Sequence, residues 1–326
     1  GEIIKGHVSL GSLRIRQDFL IAQALQAPYA IDDTSDQFAL EMALARIRQL
    51  SAHEVGHTIG LAHNFAASSK GRSSVMDYPH PTLSIKDDRV DFTDAYDTKI
   101  GDWDKVSIAY SYSEFKTDED ANLKSILNDA FNNGARFITD QDARPLGSAH
   151  AYAHLWDNGS DVSVELENLL LIRKNAIANF SKDNIKSNQP YSVLEDVFVP
   201  LYFLHRYQTE GVAKVIGGLD YTYAIKDDGN TIVKRIPGKL ERKALASVIK
   251  TLSVEELAIP KKILNLFPPR AFNYGRTRES FKSKTGVAFD PFGAVETASS
   301  MTLGLLLHPE RVTRLVQHKS LDSSQL

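Results

Sequence analysis

The sequence predicts an α+β fold that is mainly helical. Apolar residues recur at helical spacing through most of the 326 residues, and alternation of period two is confined to one N-terminal segment and one hairpin. A content of 42% hydrophobic and 24% charged residues belongs to a globular chain rather than a disordered one. The length accommodates one large or two modest domains with a sizeable core.

Glu2–Leu10 alternates, with Ile4, Gly6, Val8 and Leu10 on one side, and reads as a strand. It serves either as an edge for an extended substrate or as plain scaffold. Ile15–Ala27 is helical by periodicity and ends near Pro28. The next helix starts around Thr34, where Thr34 and Gln37 have capping-box spacing. Phe38, Met42, Ala45 and Gln49 carry its period to His53, and Gly60 marks its end. Asn64–Ile100 reads as loop-rich, Asp102–Tyr112 as a helix, and Thr117–Asp120 as an acidic linker. Beyond it, helices are expected over Ala121–Asn132, Asp161–Phe180, Val193–Gly211, Leu240–Thr251, Val254–Leu266 and Phe292–His308. Tyr221–Ile225 and Thr231–Ile236 flank Asp227-Asp228-Gly229-Asn230 as a hairpin.

Composition excludes several classes of function. A net charge of −3 and a pI near 6.4 give no electrostatic case for nucleic acid or an anionic membrane surface. No apolar run reaches the length of a membrane span. With no cysteine, disulfides and thiolate metal sites are ruled out.

Residues 53–63, His-Glu-Val-Gly-His-Thr-Ile-Gly-Leu-Ala-His, carry the chemistry. His53 and His57 are four apart, so on a helix both imidazoles lie on one face and can grip one Zn²⁺. Glu54 stands beside the first ligand, placed to accept a proton from water at the metal. Gly60 tolerates the backbone that ends the helix and returns His63 as a third ligand. Three protein ligands leave one position open, as in catalytic zinc sites. The pattern predicts a hydrolase with one catalytic zinc ion.

Met76 follows within Ser74-Val75-Met76-Asp77-Tyr78-Pro79. The extended histidine motif followed by Ser-x-Met-x-Tyr resembles the metzincin clan of zinc metalloproteases, and more narrowly the large bacterial "met-zincin" proteases with flanking regions of unknown function. The likeness extends through Leu50-Ser51-Ala52, His63-Asn64-Phe65, Leu155–Gly159, Val199–Tyr202 and Leu204–Tyr207. It implies a zincin-like core, with Met76 as the methionine turn beneath the metal and Tyr78 as the tyrosine that binds zinc or stabilises the tetrahedral intermediate. It also implies peptide or protein substrates and an extracytoplasmic location.

On this reading residues 1–115 form the catalytic domain and residues 116–326 a mainly helical C-terminal domain with the hairpin. Only 52 residues precede His53, so the upper subdomain reads as N-terminally truncated, with the missing part of a longer polypeptide completing the cleft. Two other functions share the motif: a noncatalytic scaffold that keeps the zinc fold, and a hydrolase of nonpeptide amides. His150 and His154, also four apart but without a glutamate, read as ordinary surface or core histidines. Trp156–Asp161 reads as a turn into a helix capped by Asp161, and Leu204-His205-Arg206-Tyr207 as packing between the two parts.

Overall fold

The first two helices, α1 (Ser12–Leu25) and α2 (Gln37–Thr58), pack side by side. The structure, a computed structural model, describes residues 3–277, 280, 281 and 283–326. Ala39, Met42, Ala43, Arg46, Gln49, His53 and Gly56 form the buried stripe of α2, spaced at three or four residues as a single helix face requires. The apolar upper part of that stripe meets Ala22 of α1 together with Ala95 and Tyr96. Its lower part is polar through Arg46, Gln49 and His53 and ends on Gly56.

A long irregular stretch follows, interrupted by the small antiparallel pair β1 (Ser84–Lys86) and β2 (Arg89–Asp91), with Ile85 opposite Val90. Arg72 pins this stretch together. Its backbone is left-handed (φ 61°), and its guanidinium donates to the Asp94 and Ala95 carbonyls at 3.0 and 2.8 Å and pairs with Asp97 at 3.1 Å. The chain continues through α3 (Asp102–Tyr112), α4 (Glu119–Asn132), α5 (Asp140–Ala143), α6 (Val162–Asn179), α7 (Leu194–Tyr202) and α8 (Arg206–Val215). A second hairpin, β3 (Leu219–Tyr221) and β4 (Val233–Arg235), pairs Asp220 with Lys234. Helices α9 (Gly238–Lys250), α10 (Val254–Leu257), α11 (Lys261–Leu264), α12 (Pro291–Leu306) and α13 (Pro309–Leu321) complete the chain. The fold is mainly helical α+β, as the sequence predicts. Among the described residues, no helix is long and apolar enough to cross a membrane.

The largest core cluster joins Leu20 and Ala24 of α1 and Val90 of β2 to Leu169 and Ile172 of α6, Phe198 of α7 and Ala298 of α12. Each large apolar side chain buried there contributes about 1.5–3 kcal/mol. This core crosses the expected division near Phe115.

Several elements differ from the sequence reading. Residues 3–10 form no strand; Ile4 is 91% exposed, and without a neighbouring strand the alternation has nothing to pair with. Glu2 lies outside the described residues. The expected capping box does not form, because the Thr34 hydroxyl and N–H both donate to Asp32 Oδ1, at 2.6 and 2.7 Å, and α2 starts at Gln37. The helix expected over Val193–Gly211 breaks between Tyr202 and Arg206, downstream of Pro200, whose missing N–H weakens the ladder. Pro260 likewise divides Val254–Leu266 into α10 and α11. The paired residues of the second hairpin lie farther from its turn than alternation suggests, and α13 carries no sequence expectation at all.

Candidate metal centre

Helix α2 brings His53 and His57 to one face and then stops by a specific device. Gly60 adopts φ 86°, its N–H donates to the His57 carbonyl at 3.0 Å, and the Leu61 N–H donates to the Gly56 carbonyl at 3.0 Å. This pair of bonds is the Schellman arrangement, which closes the open carbonyls of a helix end and reverses the chain. Tyr112, at the end of α3, adds a hydroxyl bond to the Ile59 carbonyl at 2.6 Å. The reversal carries His63 back to the other two histidines.

The three rings meet through one set of nitrogens. His57 Nε2 lies 3.1 Å from both His53 Nε2 and His63 Nε2. The other ring nitrogen of each is engaged: His53 Nδ1 with the Val75 carbonyl at 2.7 Å, His57 Nδ1 with the Leu61 carbonyl at 2.9 Å, and His63 Nδ1 with Asp140 Oδ2 at 2.8 Å. An acceptor at every Nδ1 places the proton there and leaves each Nε2 lone pair facing the common point. Burial pushes the His53 imidazole down to about 4, reinforced by His57, His63 and Arg46 against the Val75 carbonyl. Burial also lowers His63, opposed by its bond to Asp140. Neutral rings are what a cation requires of its ligands. The donor set therefore fits zinc, and it is the group of histidine and acidic side chains among the described residues that could hold a metal ion.

Against α2, beside Gly56, lies the turn containing Met76, which is 1% exposed. Asp104 of α3 anchors this turn: its carboxylate accepts from Ser74 Oγ at 2.6 Å, the Val75 N–H at 2.8 Å and the Gly101 N–H at 2.6 Å. The Val75 carbonyl then receives both His53 and the Gln49 amide, the latter at 3.1 Å, and the Met76 carbonyl accepts the Asn64 N–H at 3.0 Å. Glu54 is half-buried beside His53 on α2.

Tyr78 sits among the rings, its centroid 5.1 Å from His53 and 4.9 Å from His63. Trp156 stacks on it at 5.6 Å, donates its backbone N–H to the Tyr78 carbonyl at 2.7 Å, and packs on Tyr207 at 4.5 Å. Trp156 adopts φ 57°, a conformation disfavoured for a bulky residue and held here by those contacts. Beside this aromatic stack a cavity of about 240 Å³ has a mixed lining that includes Pro79, Trp156, Phe203 and Tyr207 with Asp18 and Arg206.

Two side chains at the site have no sequence expectation. Asp140 is 77 positions from His63, and its other oxygen pairs with Arg144. Burial alone would raise this carboxyl, but Arg144 and His63 hold it at about 2. Arg144 lies over the rings of Tyr78 and Phe65, 5.4 Å from each centroid. An Asp and an Arg four apart resemble any exposed helical ion pair, so the sequence carries no signal for either. His150 and His154 do not join the centre; both are buried, His150 against the Tyr221 carbonyl at 2.9 Å. Asp161 caps α6, accepting from the Ser163 and Val164 N–H groups.

A histidine-bearing helix ended by a glycine reversal, a third histidine returned to it and a methionine-containing turn packed against that helix are in keeping with the metzincin type of zinc metalloprotease. The chain belongs to the Met-zincin family, which it matches over residues 35–326. No curated protein and no solved structure matches it.

Proposed function

We propose that the protein is a zinc-dependent endopeptidase, with His53, His57 and His63 holding one ion, Glu54 as general base and Tyr78 as an oxyanion donor. The observation that carries this reading is the convergence of three Nε2 atoms, each ring fixed by an acceptor at its Nδ1. Zinc bound there supplies Lewis acidity, polarising a carbonyl and lowering the pKa of water from about 15.7 towards 7. Glu54 takes the proton of the attacking water and returns it to the leaving amine. The Tyr78 hydroxyl donates to the carbonyl oxygen as it gains charge. Met76 is the apolar floor that keeps the rings level, and Gly60 is the turn that delivers His63. The cavity beside Trp156 and Tyr207, whose lining also includes Asp18 and Arg206, receives a side chain of the peptide.

The test combines metal analysis of the purified protein with digestion of a broad peptide library, with and without a chelator. The expected result is one zinc per chain and internal cleavage that stops on chelation and returns with zinc. Stoichiometric zinc with no cleavage of any peptide would instead support the scaffold reading.

A further inference from the structure

We propose that Asp140 and Arg144 act as one positioning unit, Asp140 orienting the His63 ring and Arg144 orienting Tyr78. This rests on the reading of His63 as a metal ligand. His53 and His57 lean on neutral backbone carbonyls, whereas His63 alone leans on a carboxylate. A carboxylate at Nδ1 fixes the tautomer and makes the opposite nitrogen a stronger donor to a cation. One oxygen of Asp140 accepts from His63, and from Thr139 Oγ1 at 3.2 Å, while the other is taken by Arg144. Neither oxygen can leave its partner without disturbing the other.

Arg144 completes the link. It stands over the Tyr78 ring with Nη2 3.5 Å from the phenolic oxygen. A guanidinium donates only, so it approaches the lone pairs of that oxygen and leaves the O–H free to donate elsewhere. The pair is close to neutral as a whole, because Asp140 balances the arginine beside a metal that would otherwise repel it.

The unit sits on a stiff support. The Phe65 N–H donates to the Ile138 carbonyl at 2.8 Å, and the Asn64 amide to the Arg136 carbonyl at 2.8 Å, stitching the chain after His63 to the approach to α5. Ala143 is fully buried with its carbonyl on Lys214, and the hydroxyls of Tyr221 and Tyr223 hold Asp142. Packing of this kind keeps a supporting side chain within the narrow tolerance that a metal site needs.

A double-mutant cycle read by zinc competition against a chromophoric chelator tests the proposal on the intact protein. Asp140→Asn is expected to weaken zinc by about 10–100-fold, the usual effect of losing such a partner, with an unchanged circular dichroism spectrum. Arg144→Gln is expected to weaken it by a smaller factor, and the double variant to be no worse than Asp140→Asn alone, because coupled residues are not additive. Wild-type affinity in Asp140→Asn, or additive losses, overturns the unit. In peptide hydrolysis, Arg144→Gln should lower kcat by about tenfold with KM unchanged, and Arg144→Lys should recover only part, since an ammonium cannot reproduce the guanidinium fork. An unchanged kcat removes Arg144 from the unit. If no peptide is cleaved while the zinc cycle behaves as described, the orienting role toward His63 stands and the peptidase reading falls.

Discussion

Gly56 and Met76 are in such close apposition that a Cβ on Gly56 would lie 2.2 Å from the Met76 sulfur. Gly56 is one of the two residues between Glu54 and the second histidine that the metal motif leaves open, and the contact shows why it is glycine. Gly56→Ala is expected to destabilise the fold by about 1–3 kcal/mol through overpacking. Adding Met76→Ala should relieve most of the clash and leave mainly the cavity cost, a coupling visible in urea unfolding of the four proteins. Strictly additive effects would mean that the two side chains do not compete for the space.

Glu54→Gln keeps the size of the side chain and removes the carboxylate proposed as the base. The variant should retain its zinc and lose at least about two to three decades of turnover. Metal content and kcat measured on the same preparation decide it; full activity would take Glu54 out of the reaction.

Removing a proposed ligand tests the metal site itself. His57→Ala should bind zinc too weakly to retain it through dialysis, and its melting temperature should no longer respond to added zinc, since a ligand stabilises only the state that binds it. Full zinc occupancy in this variant would show that the ring is not a ligand.

Asp104 is the single acceptor for Ser74, Val75 and Gly101. Asp104→Ala leaves three donors without it and should cost about 2–4 kcal/mol, given the price of unmade hydrogen bonds to a charged group. The turn containing Met76 should also loosen, so faster amide exchange at Val75 and Met76 is the accompanying observation. Protection equal to the wild type would mean that the turn holds without its anchor.

Asp157 is fully buried, and burial pushes its carboxyl up to about 7, against the lowering influence of the Ser68 hydroxyl and the charge of Lys214. In the unfolded chain it titrates near 3.8, so between that value and 7 the folded protein keeps a proton that the unfolded chain releases. Its contribution to stability is therefore complete in acid and declines as pH rises through that window. Asp157→Asn should remove this decline, narrowing the difference in unfolding free energy between pH 5 and pH 7.5 by on the order of 1–3 kcal/mol. Parallel pH profiles for the two proteins would assign the dependence to other groups.

Much of this architecture was legible in single stretches of sequence. Asp102–Tyr112 forms a helix with the predicted ends, and α2 ends at the predicted glycine reversal. The errors fall where a local signal needed a distant partner or met a competing local one. Residues 3–10 alternate but find no strand beside them, and Thr34 bonds to Asp32 rather than capping α2.

The amino-acid order by itself determined the common face of His53 and His57, the glycine that turns the chain towards His63, and the methionine segment that follows. Helical period and the tolerance of glycine for positive φ belong to a few adjacent residues, so they can be read without a fold. The partners behind those rings come from the folded chain: Val75, Leu61 and Asp140 as acceptors, Asp104 holding the turn, Arg144 and Trp156 around Tyr78. A hydrogen bond or a stacked ring depends on where distant segments come to rest once the shared core has formed, and spacing along the chain carries no trace of it.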